Sequence, residues 1–148
     1  MLDTPSVVVD SSVVIKWLNQ VDEKHLEQSN LLLNQLERAA IIIFAPELVK
    51  YEMGNALLKG KQLSQSESAD ALNLFYGLPL QLLEMNEDLA VSSYRIAHQY
   101  GITFYDTVFL ALAQKLNCPL ISDNIKHQGK AVEVTVGSLA NYSAAKIT

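Results

Sequence analysis

Short runs of largely apolar, often β-branched residues alternate along this chain with longer segments of helical periodicity. The strand-like runs cover residues 6–10, 41–44, 80–83, 119–122 and 132–136. Short apolar runs bounded by turn-forming residues are typical of strands that are buried on both faces. Strands separated by helices indicate βαβ units, and therefore a parallel sheet that helices cover on both sides. We expect an α/β three-layer sandwich with a central parallel sheet of four or five strands.

Helices are predicted between these runs from capping residues and from the spacing of leucines. Ser64 and Glu67 form a capping-box pattern. Asn86, followed by two acidic residues, favours a helix start, and Gly101 favours a helix end. The predicted helices span about residues 11–17, 22–38, 46–58, 64–77, 86–101 and 104–116, and a final short helix begins near residue 137.

Length and composition place residues 1–148 among single-domain globular proteins. Of these residues, 49% are hydrophobic and 18% are charged, which is sufficient for a packed core. Cys118 is the only cysteine, so neither an internal disulfide nor a Cys₂His₂ zinc site can form. The apolar runs are too short to span a bilayer and no signal-like segment is evident, so we expect a cytoplasmic protein.

The net charge of the chain argues mildly against nucleic acid as a partner. Its value is −5, whereas a protein that holds nucleic acid by charge alone is basic. Metal ions bound in an acidic site reverse the local charge, however, because they become the largest charges present.

Four acidic residues stand near the ends of predicted strands or the starts of predicted helices. Asp10 ends the first strand, and Asp123 follows the fourth. Glu52 lies in the helix after the second strand, and Asp106 lies in the first turn of the helix before the fourth. Parallel sheets bind ligands at the carboxyl ends of their strands, so we expect these carboxylates to meet there. Clustered carboxylates repel one another unless a cation binds between them, and Mg²⁺ or Mn²⁺ suits an all-oxygen site.

Each of these carboxylates also has an ordinary structural explanation. Asp10 with its two following serines is favourable turn chemistry, and Asp123 can belong to another turn. Asp106 can complete a helix cap with Thr103, and Glu52 can be a solvated helix residue. The order of the four acids and their strand-end placement favour a shared site.

The sequence resembles the PIN-domain family at four motifs. Residues 7–17, Val-Val-Val-Asp-Ser-Ser-Val-Val-Ile-Lys-Trp, are similar to the opening of that domain. Residues 52–57, an acid followed by Asn-Ala-Leu, resemble its helix motif, and residues 105–113 closely resemble its third motif. Residues 118–123 resemble the strand that carries the fourth motif. Small proteins of this appearance resemble VapC toxins in particular.

This resemblance implies a metal-dependent endoribonuclease that hydrolyses RNA phosphodiester bonds and acts as the toxin of a toxin–antitoxin pair. It implies Mg²⁺ or Mn²⁺ as cofactor, a cognate antitoxin as partner and a homodimer. The implied catalytic and metal-binding residues are Asp10, Glu52, Asp106 and Asp123. The candidate supporting residues are Ser12, Asn55, Ser122 and Asn124.

The fourth motif departs from the family pattern. That pattern places an acid two residues after a hydroxyl residue, whereas here Ser122 is followed directly by Asp123 and then by Asn124. Either Asp123 serves from a shifted position or the site has three carboxylates, and we expect Asp123 to serve. Asn55 lies three residues after Glu52 on the same helix, where it can orient that acid or support helix packing.

Two other functions fit parts of the pattern. A non-catalytic PIN-fold module that binds RNA or protein needs the fold without a fourth acid. A receiver-like or phosphatase domain also uses a strand-end Asp, but the acidic pair and the later strand-end Lys of a receiver are not clear here. The candidate lysines for contacting RNA phosphates are Lys16, Lys50, Lys126 and Lys130.

Overall fold

Five parallel strands form one sheet at the centre of the computed structural model, which describes residues 4–143. The strands are β1 (Ser6–Val9), β2 (Ile42–Pro46), β3 (Gln81–Leu83), β4 (Leu120–Ser122) and β5 (Val136–Ser138). Their order across the sheet is β3-β2-β1-β4-β5, and every neighbouring pair is parallel. The predicted α/β fold, a parallel sheet flanked by helices, is therefore confirmed, with five strands.

Helices connect the strands within the described range. The α-helices are α1 (Ser11–Leu18), α2 (Leu26–Glu37), α3 (Leu48–Asn55), α4 (Gln65–Gly77), α5 (Glu87–Tyr100), α6 (Phe104–Leu116) and α7 (Ile125–Gln128). A π-helical turn (Ala56–Gly60) extends α3, and a 3₁₀ turn (Leu139–Asn141) follows β5. None of the helices in this part of the chain is long and apolar enough to cross a membrane.

The predicted position of the fifth strand is wrong. Residues 132–136 were expected to form it, but the strand begins at Val136, and turns precede it. Val132 is 84% exposed, whereas Ala131 and Val134 are buried and joined by a turn hydrogen bond. The apolar residues here mark a turn, in which Ala131 and Val134, three residues apart, are buried and the two residues between them are exposed.

Two helix predictions also differ from the structure, and one helix was not predicted. The second helix begins at Leu26 rather than near Asp22, because Asp22 and His25 both have positive φ angles and interrupt it. The final short helix is the 3₁₀ turn, and the short helix α7 was not predicted. Four-residue helices give too little periodicity to be recognised in a sequence.

The central strand β1 organises the core and brings two chain segments together. Val7, Val8 and Val9 are fully buried, as expected for a parallel strand covered on both faces. Val7 pairs with Ile43 of β2, and Val9 pairs with Ile121 of β4. The carboxyl ends of β1 and β4 therefore lie side by side, which places the residues after each strand next to one another.

Helix α6 provides the strongest single test of this core. Leu110 is fully buried there, whereas Leu58 in the π-helical turn is 63% exposed. We expect Leu110→Ala to reduce the free energy of unfolding by about 2–5 kcal/mol, because it leaves a cavity that the core cannot fill. The same change at Leu58 should cost less than about 1 kcal/mol. Urea denaturation of both variants measures the difference, and equal losses would contradict the packing described here.

Candidate metal centre

A small cavity lies at the carboxyl ends of β1 and β4 and has a volume of about 120 Å³. The residues that line it are Asp10, Ser11, Ser12, Glu52, Asp106, Phe109, Asn124, His127 and Gln128. Three of the four predicted acids are therefore brought together from three different elements of the fold. The fourth, Asp123, is not among the lining residues.

Asp10 is a buried carboxylate whose oxygens are both hydrogen-bonded. Ser12 donates to Oδ1 through its backbone N–H at 3.1 Å and its hydroxyl at 2.5 Å, and the Ser122 hydroxyl donates to Oδ2 at 2.6 Å. Asp10 is thus the N-cap of α1 as well as a lining residue of the cavity. Burial raises its pKa above the ordinary value despite these bonds from Ser12 and Ser122.

Glu52 reaches the cavity from helix α3. The hydroxyl of Ser11 donates a hydrogen bond to its Oε1. Burial raises the pKa of Glu52, the bond from Ser11 opposes this effect, and the charges of Asp106 and Asp10 raise it further. Glu52 is therefore close enough to Asp106 and to Asp10 to be repelled by both.

Asp106 lies in the first turn of α6, where one half of the expected capping box with Thr103 is seen among the described residues. Its backbone N–H donates to the Thr103 hydroxyl at 3.2 Å. The acid itself is not the capping side chain, because Thr103 supplies the accepting oxygen. The Asp106 carboxylate is half-buried and lines the cavity.

Gln128 leaves one oxygen without a partner beside these acids. Its side-chain nitrogen donates to the backbone carbonyl of Asp106 at 3.2 Å, which fixes the orientation of the amide. Its Oε1 is buried and has no hydrogen-bond donor among the described residues. An unpaired buried acceptor costs free energy, so a donor or a cation in the cavity would stabilise it.

The donor set fits a hard divalent cation. Three carboxylates, hydroxyls and two amide side chains offer oxygen ligands, which Mg²⁺ and Mn²⁺ prefer. Within residues 4–143, no three His, Cys, Asp or Glu side chains are already gathered as a ready metal cluster. Mg²⁺ usually keeps several water ligands and takes only one or two carboxylates from the protein.

Asp123 points away from the cavity and is held by two basic residues. Lys16 Nζ lies 2.8 Å from its Oδ2, and His25 Nδ1 lies 2.6 Å from its Oδ1. Asn124 lines the cavity in its place. The arrangement therefore gives no support to the expectation that Asp123 serves as the fourth acid from a shifted position.

The partner of Glu52 was also not foreseen from the sequence. Asn55 is exposed, and no hydrogen bond joins it to Glu52 in the described part of the chain. Ser11 makes that contact instead. The Asp-Ser-Ser sequence could have indicated the contact of Ser11 with Glu52, because two consecutive serines at a helix start direct their hydroxyls to different neighbours.

The four candidate lysines differ in their access to a bound RNA. Lys16 is only 1% exposed, and its ammonium is engaged by acidic and carbonyl oxygens, so the expectation that it contacts phosphate is wrong. Lys50 is half-buried and lies 3.3 Å from Glu47. Lys126 and Lys130 are exposed, on α7 and just after it.

Solved structures with the same architecture include a toxin–antitoxin complex from Klebsiella pneumoniae, with a TM-score of 0.62 at 18% identity, covering 90% of this chain and 97% of that one. VapBC2 from Rickettsia felis, bound to a promoter DNA fragment, has a TM-score of 0.69 at 15% identity, covering 90% of this chain and 98% of that one. FitAcB from Neisseria gonorrhoeae has a TM-score of 0.67 at 17% identity, covering 92% and 99%. VapC20 from Mycobacterium tuberculosis, a Sarcin-Ricin loop cleaving toxin, has a TM-score of 0.66 at 12% identity, covering 87% and 96%. These likenesses show a common fold.

Comparison at the level of sequence gives the family. No match was found among curated proteins. A sequence model of the PIN domain, however, matches residues 7–132, which include all three carboxylates of the cavity. This match confirms the resemblance seen in the four sequence motifs. The chain belongs to the PIN-domain family.

Proposed function

We propose that this protein is a metal-dependent endoribonuclease that uses Asp10, Glu52 and Asp106 to hold Mg²⁺ or Mn²⁺. The observation that carries the proposal is the convergence of these three carboxylates on one cavity. Burial raises the pKa of Glu52, and the charges of Asp106 and Asp10 raise it further, so a cation bound among these carboxylates would relieve the repulsion at Glu52. Membership of the PIN-domain family supports a nuclease of this kind.

The residues around the cavity have distinct tasks in this proposal. Asp10 and Glu52 are held in fixed orientations by hydroxyl donors, which leaves fewer side-chain motions to be lost when ligands bind. Asn124 and Gln128 add neutral oxygens that can accept hydrogen bonds. When bound, a divalent ion lowers the pKa of a coordinated water and offsets negative charge on the scissile phosphate.

RNA contacts are proposed on the side of the cavity formed by α7. Lys126 and Lys130 are exposed there and can act as point charges toward phosphates, and His127 lines the cavity. No serine or cysteine nucleophile is required. Attack by water in line with a leaving 3′ oxygen gives products that carry a 5′-phosphate.

We also propose that the protein is the cytoplasmic toxin of a toxin–antitoxin pair and forms a homodimer. Structures of similar fold that are complexes of this class support an antitoxin partner. The antitoxin would cover the cavity or its rim and present Arg or Lys to the carboxylates. Large exposed apolar side chains flank the site at Phe104, Tyr105 and Ile125.

Cleavage of a generic single-stranded RNA tests the roles of Asp10 and Asp106. Asp10→Asn and Asp106→Asn each keep the shape of the side chain but remove a charge that the cation needs, so both should reduce cleavage to the background level. Asp70→Asn on the exposed surface of α4 is the matched control and should leave the rate unchanged. The assay compares Mg²⁺, Mn²⁺ and excess chelator, and examines the 5′ ends of the products.

Two outcomes of that assay would contradict the proposal. Full cleavage by Asp10→Asn would exclude a metal-binding role for this carboxylate. Cleavage by the wild type that is unaffected by chelator would exclude metal dependence altogether. RNA binding by the wild type without cleavage in either metal would instead favour a non-catalytic binding module.

The stability of the metal-free protein tests the effect of burying the Asp10 carboxylate. Because burial raises the pKa of Asp10 above its ordinary value of 3.8, the folded state holds this proton more tightly than the unfolded state. The associated stability is present at low pH and is lost as the pH rises through the folded pKa. Asp10→Asn does not titrate and retains capping ability, so its Tm should equal or exceed that of the wild type at neutral pH.

Thermal melts across a pH series, without metal, measure this difference. The advantage of Asp10→Asn should shrink as the pH falls through the raised pKa of folded Asp10 toward 3.8, because the buried carboxylate takes up its proton over this range. A variant that is less stable than the wild type at neutral pH and equally stable at acidic pH would show that the ionised carboxylate stabilises the fold instead.

A further inference from the structure

A cluster of charged side chains lies behind the cavity, between α1, the loop before α2 and the turn after β4. Lys16 Nζ lies 2.9 Å from Glu23 Oε1 and 2.8 Å from Asp123 Oδ2. His25 Nδ1 lies 2.6 Å from Asp123 Oδ1, and Lys61 Nζ lies 2.6 Å from Glu23 Oε2. None of these five residues lines the cavity.

Lys16 is the buried centre of this cluster. All three protons of its ammonium have acceptors, because it also donates to the backbone carbonyl of Lys24 at 2.8 Å. Burial by itself lowers the pKa of Lys16, but the hydrogen bonds and charges of Asp123 and Glu23 outweigh this effect and raise it. Burying an ion pair is a poor route to stability, since desolvation offsets most of the attraction. A positional role explains the pair better than a stabilising one.

The cluster connects the turn after β4 to other parts of the fold. His25 lies in the loop before α2 and has a positive φ of 57°. From this position its side chain contacts Asp123. Lys61 follows the π-helical turn that extends α3, the helix that carries Glu52. Asp123 is therefore fixed from α1 and from the loop before α2, while Glu23 extends the connection toward α3.

Two hydroxyl bridges join the same turn to the Asp10 carboxylate. The Asp123 backbone N–H donates to Ser12 Oγ at 2.9 Å, and Ser12 Oγ donates to Asp10 Oδ1. The Asn124 backbone N–H donates to Ser122 Oγ at 2.9 Å, and Ser122 Oγ donates to Asp10 Oδ2. A hydroxyl that accepts from an amide is directed to donate its own proton to the carboxylate.

We propose that Lys16, His25 and Asp123 form a clamp that holds the turn at residues 123–124 and thereby orients Asp10 and Asn124 at the cavity. Asp123 is a positioning residue in this clamp, and its charge is balanced by Lys16 instead of adding to the repulsion among the cavity carboxylates. The inference rests on the proposed metal-dependent function and assigns to Asp123 a role different from that of a metal ligand.

The test uses Asp123→Asn and Lys16→Met in the full-length protein. Glu133→Gln is the matched control, because Glu133 also pairs with a basic residue, Arg95 at 3.3 Å, and lies outside the cavity. The first measurement is hydrogen exchange of the backbone amides of residues 123 and 124. The second is the Mn²⁺ dissociation constant by calorimetry, with Asp10→Asn as the reference for loss of a ligand.

We expect both clamp variants to speed exchange of the two amides by about tenfold or more, because the turn opens more often. The Mn²⁺ dissociation constant should rise by about 10–100-fold, the usual effect of removing a group that orients a metal ligand. Glu133→Gln should change neither quantity. Should Lys16→Met fail to fold, the double variant with Asp123→Asn removes both charges together and replaces it.

Several results would overturn the clamp. Unchanged amide exchange in the clamp variants would show that the turn does not depend on Asp123. Loss of Mn²⁺ binding by Asp123→Asn as complete as in Asp10→Asn, with amide exchange unchanged, would make Asp123 a ligand. A wild type that binds no Mn²⁺ would instead refute the proposed function, and the exchange data would still decide whether Asp123 holds the turn.

Discussion

The site depends on one constraint, the burial of the Asp10 carboxylate at the end of the central strand. A buried carboxylate without a counter-charge destabilises a fold unless hydrogen bonds satisfy its oxygens. Here Ser12 and Ser122 supply those bonds, and the raised pKa shows that they do not fully compensate for burial. The parallel pairing of β1 with β4 makes this arrangement possible, because it sets Ser122 beside Asp10.

The four candidate acids have two different kinds of surroundings. Glu52 lies near the charges of Asp10 and Asp106 at a small cavity, so a cation bound there would relieve the repulsion at Glu52. Asp123 is instead paired with Lys16 behind the cavity. Three carboxylates at the cavity and a neighbouring carboxylate that is paired with a lysine form the arrangement that we expect at a cation-binding site.

Much of the fold and part of the site could be predicted from the sequence. The β-branched run in β1 marks a strand buried on both faces, and Asp10 at its end marks the active edge of a parallel sheet. The directions of Asp123 and Asn124 could not be predicted, because consecutive residues in a turn point to different sides. The burial of Lys16 could not be predicted either, because its partner Asp123 is distant in the sequence and adjacent only in the fold.

The position of a bound ion is the most direct test of the proposed metal site. A crystal grown with Mn²⁺ and measured for anomalous scattering would locate the ion independently of any activity. We expect a peak in the cavity, with oxygens of Asp10 and at least one of Glu52 and Asp106 at about 2 Å or reached through water. A well-ordered cavity without a peak at saturating Mn²⁺, or an ion held by Asp123 outside it, would contradict the proposed metal site.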